Sequence, residues 1–183
     1  MVEMIDSTAV KSFPLHIGAA FALTLALAQA APGDSAPDRL QPPAGERLLL
    51  RAHASGWQIY VCSDSDGKSS WRLKAPDADL HDSKGKVIGH HSAGPTWKAL
   101  DGSEVTGKAV AHVDSPDTKS VPWLLLTATG HTGAGKFAKV TSIRRLNTQG
   151  GAPPPASECD ASKAGTEARS SYTADYEFYA PTK

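Results

Sequence analysis

Beyond residue 31 no segment of this chain sustains three or four turns of apolar residues at helical spacing. Its hydrophobic residues come instead in short runs that alternate with polar ones, the period of a strand with one buried face. Leu48 and Leu50 alternate with Arg47, Leu49 and Arg51; Trp57, Ile59 and Val61 alternate with Gln58, Tyr60 and Cys62. Trp71, Leu73 and Ala75 oppose Ser70, Arg72 and Lys74, and Val105, Ala109 and Val113 share one face. Trp123 to Thr129 is nearly continuous in apolar residues, as suits a central strand, and Tyr172, Ala174, Tyr176 and Phe178 alternate with Thr173, Asp175, Glu177 and Tyr179. Turn residues that tolerate positive φ punctuate these runs at Asp64–Gly67, Ser83–Gly85, Asp101-Gly102 and Gly130–Gly135. The pattern predicts an all-β fold: a single-domain antiparallel β-sandwich or barrel with long loops, and Trp57, Trp71 and Trp123 in or at the edge of its core. A short helix within Ala156 to Ala168 is weakly signalled, and Thr148 to Cys159 reads as a long irregular connection.

The amino-terminal end has a different character. Leu15 to Ala31 is an apolar run ending in Ala28-Gln29-Ala30, small residues at the positions a signal peptidase accepts. It falls short of the roughly 20 apolar residues of a membrane span. Residues 1–30 therefore read as a cleavable signal peptide, with an uncleaved anchor as the alternative; Glu3 and Asp6 against Lys11 depart from the usual basic start. Residues 31–44 form a Pro-rich linker and residues 45–180 a β-rich domain. Cleavage after Ala30 leaves 153 residues carrying 18 basic and 17 acidic side chains. That balance creates no broad field for nucleic acid or anionic lipid. The expected protein is secreted, periplasmic or extracellular, with no nucleic-acid partner and no membrane contact once the signal is removed. Cys62 and Cys159 are the only cysteines. In an oxidising compartment an even pair reads as one disulfide, with two free buried thiols as the alternative.

The strings GWQIYVC (56–62), HHSAGPTWKALDGSEVTG (90–107), VPWLLLTATGHTGAGKFAKVTSIRRLNTQGGAPP (121–154) and YTADYEFY (172–179) resemble the domain-of-unknown-function 3455 family, secreted proteins of bacteria and fungi. The resemblance runs from about Gly45 to Tyr179. It implies export and one β-rich domain with cysteines at matching positions, and it implies no activity. Some relatives carry a malate-dehydrogenase name, which this sequence does not support: it has no GxGxxG opening a helix after a strand and no βαβ alternation.

Several motifs invite chemistry. Gly130 to Lys136 satisfies GxxxxGK, but Phe137 stands where a phosphate loop needs Ser or Thr, so a hairpin between strands around Trp123 and Phe137 is the simpler reading. Asp64-Ser-Asp-Gly-Lys starts like a calcium loop, yet Lys68 takes a ligand position and the glycine comes one place early; a plain turn is expected. No HxH, HExxH or GxSxG occurs. A metal site would have to assemble across strands, from His91, His112 and His131, and no metal or cofactor is expected. The remaining candidate is the hairpin from His91 to Ser103, where Gly94-Pro95 fixes a bend and Asp101-Gly102 turns the chain back. It gathers His91, Trp97, Asp101 and Ser103, either as a structural corner or as a contact face for a glycan or small molecule. The functional expectation is a non-enzymatic extracellular binding or structural module for an unidentified ligand. The alternative is a small extracellular enzyme or metal-binding protein using cross-strand histidines.

Overall fold

The computed structural model describes residues 38–182, and the export reading for residues 1–30 lies outside them. Eight strands follow one another: β1 (Glu46–Ser65), β2 (Lys68–His81), β3 (Val87–Ser92), β4 (Thr96–Ala99), β5 (Glu104–Val113), β6 (Trp123–Thr132), β7 (Ser142–Gly150) and β8 (Glu167–Pro181). Each pairs antiparallel with the next, and β8 returns to pair with β1, so the sheet closes into a barrel rather than splitting into a sandwich. Closure follows from β1, long enough to be hydrogen-bonded to β2 on one side and β8 on the other, and it leaves no open sheet edge. The β1–β2 turn has Asp66 at φ 55° and Gly67 at φ 72°, the paired positive values of a type I′ hairpin. Residues 156–168 hold only two single 3₁₀ turns, Ala156–Glu158 and Ala161–Lys163.

Aromatic residues fill the interior. Trp97 on β4 sits between Tyr176 and Phe178 of β8, with ring centroids 5.5 and 6.1 Å away, and Phe137 packs against Phe178 at 4.6 Å. Phe137 lies on the β6–β7 connection, not on a strand, and is completely buried, so it plugs one end of the barrel. The expected hairpin forms between β6 and β7, but its second strand starts at Ser142 and not around Phe137. A second correction concerns β1, whose alternation runs in the opposite phase. Gln58, Tyr60 and Cys62 are buried, while Trp57 is 42% exposed. The cause lies upstream: Ala52, Ala54 and Gly56 set the inward phase, and at Gly56 the strands approach so closely that a Cβ would stand 2.2 Å from the Asp77 carbonyl oxygen. Trp57, one residue on, must point outward. In β5 the register shifts twice, so Val105 is buried and Ala109 exposed although the spacing put them on one face. Trp71 and Trp123 are half-buried.

Two features fasten the outside. The tip of the β1–β2 hairpin is tied to the 152–166 connection by the Cys62–Cys159 disulfide and by the Trp71 indole N–H, which donates to the Pro155 carbonyl (3.2 Å). Closing a loop between cysteines 97 residues apart contributes up to about 4–5 kcal/mol in the chain-entropy account. On the far side Leu40 is buried against Leu125 and Leu146. Beside it Arg144, fully buried, donates to Glu177 at 2.9 and 2.6 Å; Arg51 and the Tyr179 hydroxyl also donate to that carboxylate, at 2.8 and 2.6 Å.

Candidate functional site

The His91–Ser103 hairpin divides into two places. His91 and Trp97 face each other across β3 and β4 and point into the barrel, where they stack with centroids 4.5 Å apart and planes 7° from parallel. Both are buried. His91 Nδ1 lies 2.9 Å from the Thr96 carbonyl, an acceptor only, so Nδ1 carries the proton. Burial, the largest cause, pushes the imidazole down to about 3, with the Arg145 charge acting the same way and the Thr96 bond opposing. His91 is therefore neutral at ordinary pH.

Asp101 and Ser103 lie at the rim instead. The Asp101 carboxylate accepts from the Ser103 hydroxyl (2.6 Å), the Ser103 amide (3.0 Å) and the Lys136 amide (3.0 Å), with Lys136 Nζ at 3.6 Å. These bonds, the Ser103 hydroxyl first, hold its carboxyl well below the usual range. The Ser103 oxygen in turn accepts from the Phe137 amide (3.1 Å). The Ser103 bonds close the β4–β5 turn on itself, and the Lys136 and Phe137 amides tie that turn to the β6–β7 connection and seat the Phe137 plug. The imidazole bonds to a carbonyl and the hydroxyl to Asp101, so no nucleophile–base pair forms between His91 and Ser103. Only Asp101 of the four residues is exposed, which fits a structural corner.

His112 is exposed on β5, and His131 bonds through Nε2 to the Val140 carbonyl (2.7 Å). Neither joins His91; among the described residues no three His, Cys, Asp or Glu side chains gather as metal ligands. The Gly130–Lys136 glycines turn the chain between β6 and β7, and no helix follows to aim amides at a phosphate.

A different surface gathers exposed binding groups. Trp57 stands on the outer face of β1 between Asp77 of β2 and Ser171 of β8. Beside it a shallow groove of ≈ 570 Å³ runs over Ser55, Trp57, Gln149, Ser171 and Thr173. Three hydroxyls and a primary amide line that groove together with the indole. The flank is charged: Arg169 pairs with Asp77 (2.7 Å), and His90 lies 3.2 Å from both Asp77 and Asp79. Period-two reading found Trp57 but placed it inward. The signal available was the small-residue phase of Ala52, Ala54 and Gly56.

Beside Tyr172 and Tyr176, which alternation had put on one face, the barrel interior holds polar groups that alternation did not place there: Gln58, Tyr60 and Arg145. The adjacent arginines of SIRRL carried that signal, because neighbours on a strand face opposite ways and one must point inward.

In comparisons with known proteins, a family model described as "Protein of unknown function (DUF3455)" matches residues 43–180. No curated protein and no solved structure matches the chain.

Proposed function

This chain belongs to the DUF3455 family of proteins of unknown function, and from that premise we propose that its barrel is a non-enzymatic binding module whose contact face is the Trp57 groove. The observation that carries the reading is an indole 42% exposed on a rigid strand beside a groove lined by hydroxyls and an amide. A sugar ring presents an apolar C–H face to stack on an indole and hydroxyls to bond with Ser, Thr and Gln, so the chemistry fits a glycan. Strands on either side of β1 hold Trp57 in place, which lowers the ordering cost of binding. The module works outside the cytoplasm, where the Cys62–Cys159 bond persists against reduction.

The test is a panel of neutral and acidic oligosaccharides read by tryptophan fluorescence, with Trp57→Ala as control. The parent should bind at least one glycan with a change in emission. Trp57→Ala should melt like the parent, since its side chain is largely outside the core, and lose the response. No binding across the panel, or binding retained in Trp57→Ala, refutes the proposal.

A further inference from the structure

The Trp57 groove does not end at Ser171. The same serine lines a second groove of ≈ 620 Å³, which continues between β8, the β5–β6 connection and the start of the β7–β8 connection, past Lys119, Pro153, Pro155 and Arg169. Thr173, Ser171 and Arg169 share the outer face of β8, opposite Ser55, Trp57 and Ile59 of β1. At a strand's rise of about 3.3 Å per residue, the row from Thr173 to Arg169 spans about 13 Å, more than one sugar ring occupies.

Charge along this path has one sign. Among the described residues, Lys119 and Arg169 line the two grooves and no carboxylate does. Arg169 is partly engaged, since one Nη donates to Asp77 (2.7 Å) on the far side of β1. Lys119 is exposed. The acid beside it in sequence, Asp117, accepts from the Lys119 amide (3.0 Å) and the Ser120 hydroxyl (2.8 Å) rather than from the ammonium. Those two bonds hold the Asp117 carboxyl below its usual range, and the Lys119 charge is the smallest of the causes. The ammonium therefore stands over the groove without a close counter-charge.

The backbone under it is fixed. The Lys119 carbonyl accepts from the Ala152 amide (3.2 Å), Ser120 bridges to Gly151, and the Ser120 hydroxyl accepts from the Gly150 amide (2.8 Å). The opposite wall is pinned where the Trp71 indole meets the Pro155 carbonyl. Walls already ordered lower the cost of holding an extended ligand, and a cationic lining selects an anionic one.

We propose that the two grooves form one channel for an anionic oligosaccharide, with one ring stacked on Trp57 and the carboxylate or sulfate ester of a further sugar beside Lys119 and Arg169. The proposal rests on the Trp57 reading above and adds the charge and the length of the ligand.

The probes are a uronic-acid oligomer, a sulfated oligomer and a neutral oligomer of equal length, with the uronic-acid monosaccharide as the short control. Each is titrated calorimetrically into the disulfide-bonded protein at low salt. At least one acidic oligomer should bind about three- to fivefold tighter than the neutral one, and added salt should erase the difference. Which acidic oligomer does so identifies the charged group. Lys119→Gln should bring the acidic affinity down to the neutral one, leave the neutral affinity and Tm unchanged, and be rescued by Lys119→Arg. The monosaccharide should bind more weakly than the oligomers. Equal affinity for neutral and acidic oligomers, equal loss of both in Lys119→Gln, or a monosaccharide that binds as tightly as the chain overturns the proposal. If in those cases Trp57→Ala still abolishes binding, the Trp57 reading stands and only the anionic channel fails. Acidic binding that needs Lys119 but survives Trp57→Ala refutes the Trp57 reading and with it the joined channel. No binding by any oligomer refutes both.

Discussion

Replacing Trp97 tests whether the His91–Ser103 hairpin is a corner of the fold. Its indole is 1% exposed, stacked on His91 and edged by Tyr176 and Phe178. Across from it, a Cβ on Gly107 would come within 3.2 Å of the ring, so the missing side chain there makes room for the indole. An aromatic side chain buries about 150–250 Å², worth about 4–6 kcal/mol at 25 cal/mol per Å² as an upper bound. Truncation to alanine keeps a small part of that area and leaves a cavity among rings braced by a closed sheet; the expected cost is about 3–5 kcal/mol. For a domain of this size that lowers Tm by about 6–20 °C. Trp97→Phe gives a second constraint. The indole N–H is buried without an acceptor, so phenylalanine removes an unsatisfied donor while retaining much of the stack. It should cost about 1–2 kcal/mol, clearly less than alanine. Near-UV circular dichroism melts of the three proteins measure both. If Trp97→Ala melts within about 2 °C of the parent, the indole is not the core residue described. If Trp97→Phe is as damaging as alanine, the packing account of the site is wrong.

The remaining predictions concern charge. His91 is held neutral in the fold, down to about 3, against about 6.5 when unfolded, so the unfolded chain binds the extra proton between those values. Stability should fall as pH drops below about 6.5, by about 2 kcal/mol at pH 5, and the loss should level off near the folded value. His91→Phe should remove most of that slope in urea titrations at pH 5 and 7, and an unchanged slope would assign the acid sensitivity elsewhere. Glu177 accepts from the fully buried Arg144 and from Arg51 and Tyr179, so Glu177→Ala, which removes that shared carboxylate, should cost about 3–5 kcal/mol by urea unfolding. A loss below about 1 kcal/mol would mean that Arg144 finds other compensation on folding.

Much of the architecture was legible because it depends on local chemistry. Period-two runs and turn residues specify strands and hairpins, since a strand exposes alternate side chains and only certain residues accept positive φ at a tight turn. Asp66 and Gly67 do adopt those angles, and Tyr172, Ala174, Tyr176 and Phe178 do line the interior. With only two cysteines, one disulfide had one possible connectivity, and Cys62 bonds Cys159. Other features waited for the tertiary structure. Whether eight strands close on themselves depends on β1 meeting both β2 and β8, a contact between chain ends that no local pattern encodes. The phase of β1 depends on how near β2 approaches at Gly56, which turns Trp57 outward and Gln58 inward. The hairpin that gathered four polar and aromatic residues in sequence was separated by the barrel wall. His91 and Trp97 went to the interior, while Asp101 and Ser103 went to the rim, where Lys136 and Phe137, more than 30 residues downstream, supply the amides they bind. Sequence alone could say that one of Arg144 and Arg145 faces inward. Only the pairing of β7 with β8 decides that Arg144 meets a carboxylate and Arg145 meets a tyrosine, because charge compensation is a property of neighbours in space.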